Sequence, residues 1–372
     1  MRILMSSSGA AGHLLPLIPW GRALMCCGHE VMISGPPDVA ADLKKATIPH
    51  APLDAVDPAD IASARKIFKT LQDGHPKQEF VAREMMVGLR AHAALPMLQK
   101  TIERWRPDVI LRESAEFAAL LAAESADIPC AKLAVCNPEW ELELLANSAT
   151  PMESFRREMG LDPDVDVALL DALTFTAFPR KLDNVADQTD RNGWFRYRPE
   201  SVARPRPAAK PHWAPDGGEP LLYMTFGTVA GQFNQYEDTF RAALGAVEGL
   251  PIKVLLTTGH SIDPMDLGPI PQNVIVETYV PQSDIWHHAT AILFHGGSGT
   301  LLGALAAGLP AIVTPLFADQ PHNARAIAAA EVGLAVCAPD RAAIATAICE
   351  VLEKPRYKTN ALRVAEDIGS LA

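Results

Sequence analysis

Short apolar runs recur along the chain. Each is followed by a small or glycine-rich turn and then by apolar positions at helical spacing. Residues 2–7, 30–34, 109–111 and 130–135 make a first series; residues 221–226, 253–257, 274–277, 291–294 and 311–316 make a second. A continuous apolar run predicts a strand buried on both faces, as in a parallel sheet covered by helices. Two such series in succession predict an α/β chain of two doubly wound, Rossmann-like domains facing each other across a cleft. Between them, residues 180–218 are rich in proline, arginine and aspartate and lack periodicity. With the linker there, residues 1–205 form the N-terminal domain and residues 206–372 the C-terminal one.

The helical pattern is clearest over residues 79–106, where Met86, Leu89, Ala93, Leu98, Ile102 and Trp105 fall on one face and read as core. Pro96 is expected to kink this helix or to start a second one. Residues 14–27 predict a helix with Pro16 in its first turn. Residues 55–78, broken by Pro58, Gly74 and Pro76, predict a mobile loop region, and the acidic residues 137–168 predict irregular structure.

At 372 residues there is enough chain for two cores. The net charge is −11 and no basic tract stands out, so nucleic-acid binding by phosphate neutralisation is excluded. The six cysteines include no CxxC pair and lie in apolar segments; they predict reduced thiols and a cytoplasmic protein. The apolar start, Ile3-Leu4-Met5, is too short for a signal peptide or a span, and no membrane insertion is expected. A monomer or homodimer is expected.

Candidate chemistry concentrates in residues 291–323. The strand over 291–294 runs directly into His295-Gly296-Gly297-Ser298-Gly299-Thr300, and residues 301–307 predict a helix closed by Gly308. A glycine-rich turn entering a helix N-terminus makes an anion site, because backbone can approach a phosphate and unpaired N–H groups point at it. Ser298 and Thr300 add hydroxyls, and His295 adds a donor that can become cationic. A second strand, expected over 311–316, leads to Asp319-Gln320, a carboxylate and an amide suited to sugar hydroxyls. In a doubly wound sheet both loops lie at the carboxyl edge, where ligands bind. Asn323 is expected to cap the helix that follows.

In the first series, Gly12-His13-Leu14-Leu15-Pro16 places a histidine after the first strand. Alone it reads as a residue that caps or packs a helix start, or as a base that accepts a proton from an alcohol. Glu113, after the strand that follows Pro107-Asp108, reads either as a helix-start acid or as a carboxylate behind such a histidine. Asp108 belongs at the strand's start, away from the ligand edge. In the second series, Phe226-Gly227-Thr228 and Thr257-Thr258-Gly259 end strands on the ligand edge, and Tyr279-Val280-Pro281-Gln282 alone reads as a strand end and turn.

Taken together, these blocks resemble the family 1 glycosyltransferases of the GT-B fold, most of all the actinobacterial enzymes that glycosylate natural products. The likeness spans residues 1–36, 106–136 and 219–340; residues 40–100 and 137–215 match only in layout. It implies that His13 is the general base for the acceptor hydroxyl and Glu113 its carboxylate partner, where many members carry aspartate. It further implies a donor site made of Gly227, Thr228, Tyr279, Val280, Gln282, His295, Gly296, Gly297, Ser298, Gly299, Thr300, Asp319 and Gln320. Tyr279 stands where many members have tryptophan, and would stack on the base while the Val280 backbone reads its edge. The chain stops at Ala372, where family members run on through a final helix that returns to the first domain.

The resemblance implies an inverting, metal-independent hexosyl transfer from a TDP- or UDP-sugar to a hydroxyl of a small hydrophobic natural product, in antibiotic or secondary-metabolite biosynthesis. No cofactor is expected beyond the nucleotide sugar as co-substrate. A non-catalytic helper subunit with the same fold is the alternative. A Rossmann dehydrogenase is disfavoured, because Ser8-Gly9-Ala10-Ala11-Gly12 lacks the dinucleotide spacing and the second strand ends in Ser34-Gly35. A metal site would have to draw on Asp164 and Asp166, and no partner ligands are evident.

Overall fold

The computed structural model describes the chain except residues 73, 164–172, 200–209, 228–236, 260–261 and 339. The chain forms two compact units: Met1–Thr176 with Val185–Phe195, and Ala177–Asn184 with Arg196–Ala372. The junction expected between residues 205 and 206, and the candidate ligands Asp164 and Asp166, lie outside the described residues.

The first unit is built on strands β1 (Arg2–Ser6), β2 (Glu30–Gly35), β3 (His50–Pro52), β4 (Val109–Glu113), β5 (Cys130–Ala134), β6 (Leu173–Thr176) and β7 (Phe195–Arg196). Their order is β3-β2-β1-β4-β5-β6-β7, and the ladders from β3 to β6 are parallel. The sheet of the second unit holds β8 (Leu221–Thr225), β9 (Lys253–Thr257), β10 (Val274–Glu277), β11 (Ala291–Phe294), β12 (Ala311–Val313) and β13 (Gly333–Ala335). It runs β10-β9-β8-β11-β12-β13, with every ladder parallel. Each order reverses direction once, between β1 and β4 in one sheet and between β8 and β11 in the other. Loops on either side of such a switch point diverge and leave a crevice at the carboxyl edge. The loops that open at these two crevices are those after β1 and β4, and those after β8 and β11.

Apolar side chains fill both faces, as parallel strands demand. Leu4, Ile110, Phe117, Leu121 and Leu98 belong to the core of the first unit. Tyr223, Ile292, Phe294, Leu301 and Val364 pack on one face of the second sheet, and Leu222, Met224, Leu256, Leu293 and Ile348 on the other. The first sheet departs from this rule in one row. Ser34, Ser6, Arg112, Lys132 and Thr174 are register partners across β2, β1, β4, β5 and β6, and each is buried.

Three sequence expectations need correction. Residues 55–78 are not a loop region: Pro58–Thr70 is an α-helix, with proline at its first position and the Asp57 side chain capping the Ala59 N–H. Residues 137–158 are not irregular: Pro138–Glu158 is a helix capped by Asn137, and Pro151 is accommodated inside it. The span over 79–106 is helical but not uniformly α. Val81–Ala91 is wound as a π-helix, and an α-helix starts at His92 and carries Pro96 within it. The 3.6-residue period cannot announce a local change to wider winding.

Candidate active site

In the first unit the chain leaves β1 through Ser7-Ser8-Gly9-Ala10 into the short helix Ala11–Leu14, which carries His13. The helix expected as one piece over 14–27 is therefore two, with Leu17–Cys26 beginning after Pro16. Gly9 turns at φ 90°, and a Cβ there would meet Pro36 Cγ at 2.7 Å. Ala10 holds φ 61° and ψ 148°, a region that side chains other than glycine rarely enter. This strained turn delivers His13 to the β4 edge, where His13 Nδ1 meets Glu113 Oε2 at 2.7 Å.

The other contacts of Glu113 fix it. Its Oε1 accepts the Ser8 N–H at 3.0 Å, and Oε2 also accepts the Ala115 N–H at 2.8 Å. Burial pushes the Glu113 carboxyl up, but His13 and the hydrogen bonds from Ala115 and Ser8 overcome that and hold it down at about 2. Burial likewise pulls His13 down, and the Glu113 charge and hydrogen bond outweigh it, so the imidazole lies above its ordinary value. A carboxylate on Nδ1 sets the tautomer that leaves the Nε2 lone pair able to accept a proton. Asp108 accepts the Arg2 N–H at 2.7 Å, at the far end of the strand, as the sequence implied.

Sequence reading missed Glu116. It caps the helix Phe117–Ser125 through Ala118, and burial followed by the Glu113 charge raises it to about 7. Its signal was the spacing of two acids at a helix start, which also describes an ordinary cap.

In the second unit β11 ends at Phe294, and the helix Ser298–Ala306 begins with Gly297 as N-cap. Here the glycines answer to sterics. Gly296 has φ 93°, and a Cβ would meet Val313 Cγ1 at 2.8 Å. A Cβ on Gly297 would lie 2.6 Å from His295 Nε2, and one on Gly227 would lie 2.8 Å from the same atom. His295 is thus gripped between the turn after β8 and the start of the helix. Burial drives its pKa down to about 4, with only the Thr225 backbone opposing. The cationic donor expected from sequence is therefore a neutral imidazole.

The hydroxyls also differ from expectation. Ser298 Oγ donates to Asp319 Oδ2 at 2.5 Å, and Thr300 Oγ1 accepts from Gln282 Nε2 at 3.0 Å. What Ser298, Gly299 and Thr300 hold toward an anion is their backbone N–H groups, which have no intrahelical acceptor in the first turn. Gln320 Oε1 accepts the N–H groups of Leu316 and Phe317 at 2.8 and 3.0 Å, so its amide shapes its own loop.

Asn323 does not cap the helix Gln320–Ala329; it lies within it, fully buried. Its Nδ2 donates to Gly296 O at 2.8 Å, Ser298 Oγ at 3.0 Å and Asp319 Oδ2 at 3.1 Å, and so stitches the two loops together. Tyr279 is 61% exposed, and Val280 follows it. Gln282 also reaches Tyr223 Oη at 3.4 Å. Thr228 lies outside the described residues.

Each sheet thus carries a strand-edge site, one with a histidine–carboxylate pair and one with an amide-lined anion turn, and comparison with known proteins gives the class, a glycosyltransferase. Residues 22–175 match the N-terminal domain of the erythromycin biosynthesis protein CIII-like family, and residues 242–371 match its C-terminal domain. The chain belongs to the family 1 natural-product glycosyltransferases and is a glycosyltransferase of the antibiotic-biosynthesis type.

It is 29% identical to L-demethylnoviosyl transferase of Streptomyces niveus over 358 residues, covering 95% of this chain and 89% of that protein. It is also 29% identical to the elloramycin glycosyltransferase ElmGT of Streptomyces olivaceus, covering 100% of this chain and 94% of the relative. The crystal structure of the glycosyltransferase SnogD from Streptomyces nogalater superposes with a TM-score of 0.78 at 25% identity, over 100% of this chain and 95% of SnogD. The spinosyn rhamnosyltransferase SpnG, solved with thymidine diphosphate, shares the fold with a TM-score of 0.80 at 21% identity, over 100% of this chain and 97% of SpnG. Among the described residues no helix is long and apolar enough to cross a membrane.

Proposed function

We propose that the chain transfers a sugar from a thymidine- or uridine-diphosphate donor to a hydroxyl of a small hydrophobic natural product, with inversion and without a metal ion. The observation that carries this reading is the 2.7 Å contact of His13 Nδ1 with the buried Glu113 carboxylate. Nε2 of His13 removes the acceptor proton as the oxygen attacks the anomeric carbon from the face opposite the diphosphate, so configuration inverts. Glu113 stabilises the imidazolium that forms. Charge building on the leaving diphosphate meets the N–H groups and dipole of the helix Ser298–Ala306, and neutral His295 packs behind that turn. Asp319 and Gln320 face the sugar, and the exposed ring of Tyr279 stacks on the base.

Donor chemistry of this kind is supported by SpnG, whose bound ligand is thymidine diphosphate. A helper subunit would have no use for a carboxylate held at about 2 beside a histidine held above its ordinary value. The test is incubation of the purified protein with thymidine and uridine diphosphate sugars and a panel of hydrophobic alcohols, with and without EDTA. The expected outcome is the same rate of glycoside formation in both. Loss on chelation, restored by Mg²⁺ or Mn²⁺, would remove the metal-free mechanism.

A further inference from the structure

Arg112 is a cost to the first unit that its packing does not explain. Its side chain is fully buried near the carboxyl end of β4, beside the buried Lys132 of β5 in the same register row. Burying a guanidinium without a matching set of acceptors is expensive, and an apolar side chain of similar volume is often more stable. Its partners among the described residues are few. Nη1 donates to the carbonyls of Glu113 and Ser114, each at 3.2 Å, while Nε and Nη2 meet no hydrogen-bond acceptor. The ring of Phe117 lies 5.6 Å from the guanidinium carbon. The Glu141 carboxylate is engaged elsewhere: with Lys132 at 3.4 Å, with the Ser114 hydroxyl, and with the Cys136 N–H at 3.1 Å.

Among the described residues, every hydrogen bond of this buried cation therefore goes to the two peptide groups at which β4 turns into its loop. Those peptides carry Glu113, whose two carboxylate oxygens must reach His13, Ser8 N and Ala115 N together. The turn is held from its other side by Ser114 Oγ, which accepts the Val135 N–H at 2.9 Å. We propose that Arg112 is a positioning residue for transfer: it clamps the Glu113–Ser114 turn so that the carboxylate meets His13 Nδ1. This inference rests on the reading of His13 and Glu113 as the proton-accepting pair.

The charged groups around that pair fix what a variant should do. His13 feels Glu113 and Glu141, which raise it, and Arg90 from the π-helix, which lowers it; Glu113 is lowered by His13, and its own charge raises Glu116. Removing the Arg112 charge acts through space to raise His13, because a nearby cation disfavours imidazolium. Letting the Glu113 turn drift acts the other way, because His13 loses its partner and its pKa falls. The direction of the shift therefore separates positioning from a field effect.

The test is the pH dependence of kcat/KM for the full chain as Arg112→Met, Arg112→Lys, Glu113→Gln and the Arg112→Met/Glu113→Gln double variant. The acid limb reports His13 in the free enzyme. Glu113→Gln is expected to move its midpoint down. Arg112→Met is expected to move it at least half as far in the same direction, with kcat lower by roughly 10- to 100-fold and donor KM within about twofold. Arg112→Lys, which keeps charge but not the forked donor, is expected to fall between Arg112→Met and wild type. The double variant is expected to match Glu113→Gln alone, as two changes in one chain of contacts should.

A midpoint that stays in place or rises in Arg112→Met overturns the proposal. Should that variant not fold, the Arg112→Lys midpoint decides by the same criterion. If Glu113→Gln shifts the limb and the Arg112 variants do not, only the clamp is wrong. If Glu113→Gln leaves the limb where it was, the proton-accepting pair is wrong and the clamp falls with it.

Discussion

The loops after β1 and β4 and the loops after β8 and β11 are built to one plan and do opposite electrostatic work. Both pairs flank the switch point of a parallel sheet, and both carry a histidine at the carboxyl edge. In the first unit His13 is partnered by a carboxylate and sits above its ordinary pKa. In the second unit His295 is wedged between Gly227 and Gly297, and burial drives it to about 4. One site concentrates side-chain charge, as a base needs if it is to hold a proton briefly. The other keeps its histidine uncharged and presents the backbone amides of a helix start, as the proposed diphosphate cradle needs. The residue type does not set the role; the partner and the space around it do.

The largest effect should fall on the charged site. His13→Ala is expected to lower kcat/KM by roughly 10³-fold, the weight of a positioned general base. Donor affinity by calorimetry should stay within about twofold. A collapse of donor affinity with turnover intact would erase the contrast between the two histidines.

At the uncharged site the sensitive atom is a hydrogen. Gly297→Ala places a Cβ 2.6 Å from His295 Nε2, and must displace a ring that is itself packed on Gly227. Overpacking of this kind costs roughly 1–3 kcal/mol, so donor affinity should weaken by about tenfold or more. Acceptor KM should be unmoved. Unchanged donor affinity would mean that the turn does not touch the diphosphate.

The pair in the first unit also leaves a mark on stability. Glu113 is lowered from 4.5 to about 2, so its contribution is present above pH 4.5 and lost as pH falls toward 2. His13 is raised above 6.5, so its contribution is complete below 6.5 and lost as pH rises through the folded value. The melting temperatures of wild type and Glu113→Gln should therefore differ most between about pH 4.5 and 6.5 and converge on either side. A difference that is flat from pH 4 to 9 would mean that no ion pair forms.

The smallest effect is structural. Asn323→Ala removes one donor from three acceptors in the second unit and leaves Gly296 O and Asp319 buried with fewer partners. A loss of roughly 1–3 kcal/mol in stability is expected by denaturant titration. The first unit should keep its acid limb; a shift in that limb would show that the two sites are not separable.

Much of this was legible in the sequence, for reasons the structure makes plain. The strand runs and glycine turns are local signals, and they located both switch-point crevices. Gly12-His13 and Glu113 each follow a strand, but it was the resemblance to the family that joined them as a pair; by themselves they read equally as helix-start residues. What depended on tertiary surroundings was not legible. The charge of His295 is set by burial between two distant glycines. The Ser298 hydroxyl reads as a phosphate ligand until Asp319 is seen beside it. Asn323 reads as a cap because its bond to Gly296 O spans 27 positions. The helix Pro138–Glu158 was hidden by its acidic face and by Pro151, and the strand expected over 109–111 stopped short of Arg112.

The reading of His13 as base on one side of the sugar and the amide turn as diphosphate cradle on the other is tested most directly by the anomeric configuration of the product. Transfer from an α-linked thymidine-diphosphate hexose to a hydrophobic alcohol, followed by proton NMR of the anomeric coupling, should give a β-linked glycoside. An α-linked product, with configuration retained, would contradict a single in-line displacement and with it the assignment of His13 as the base.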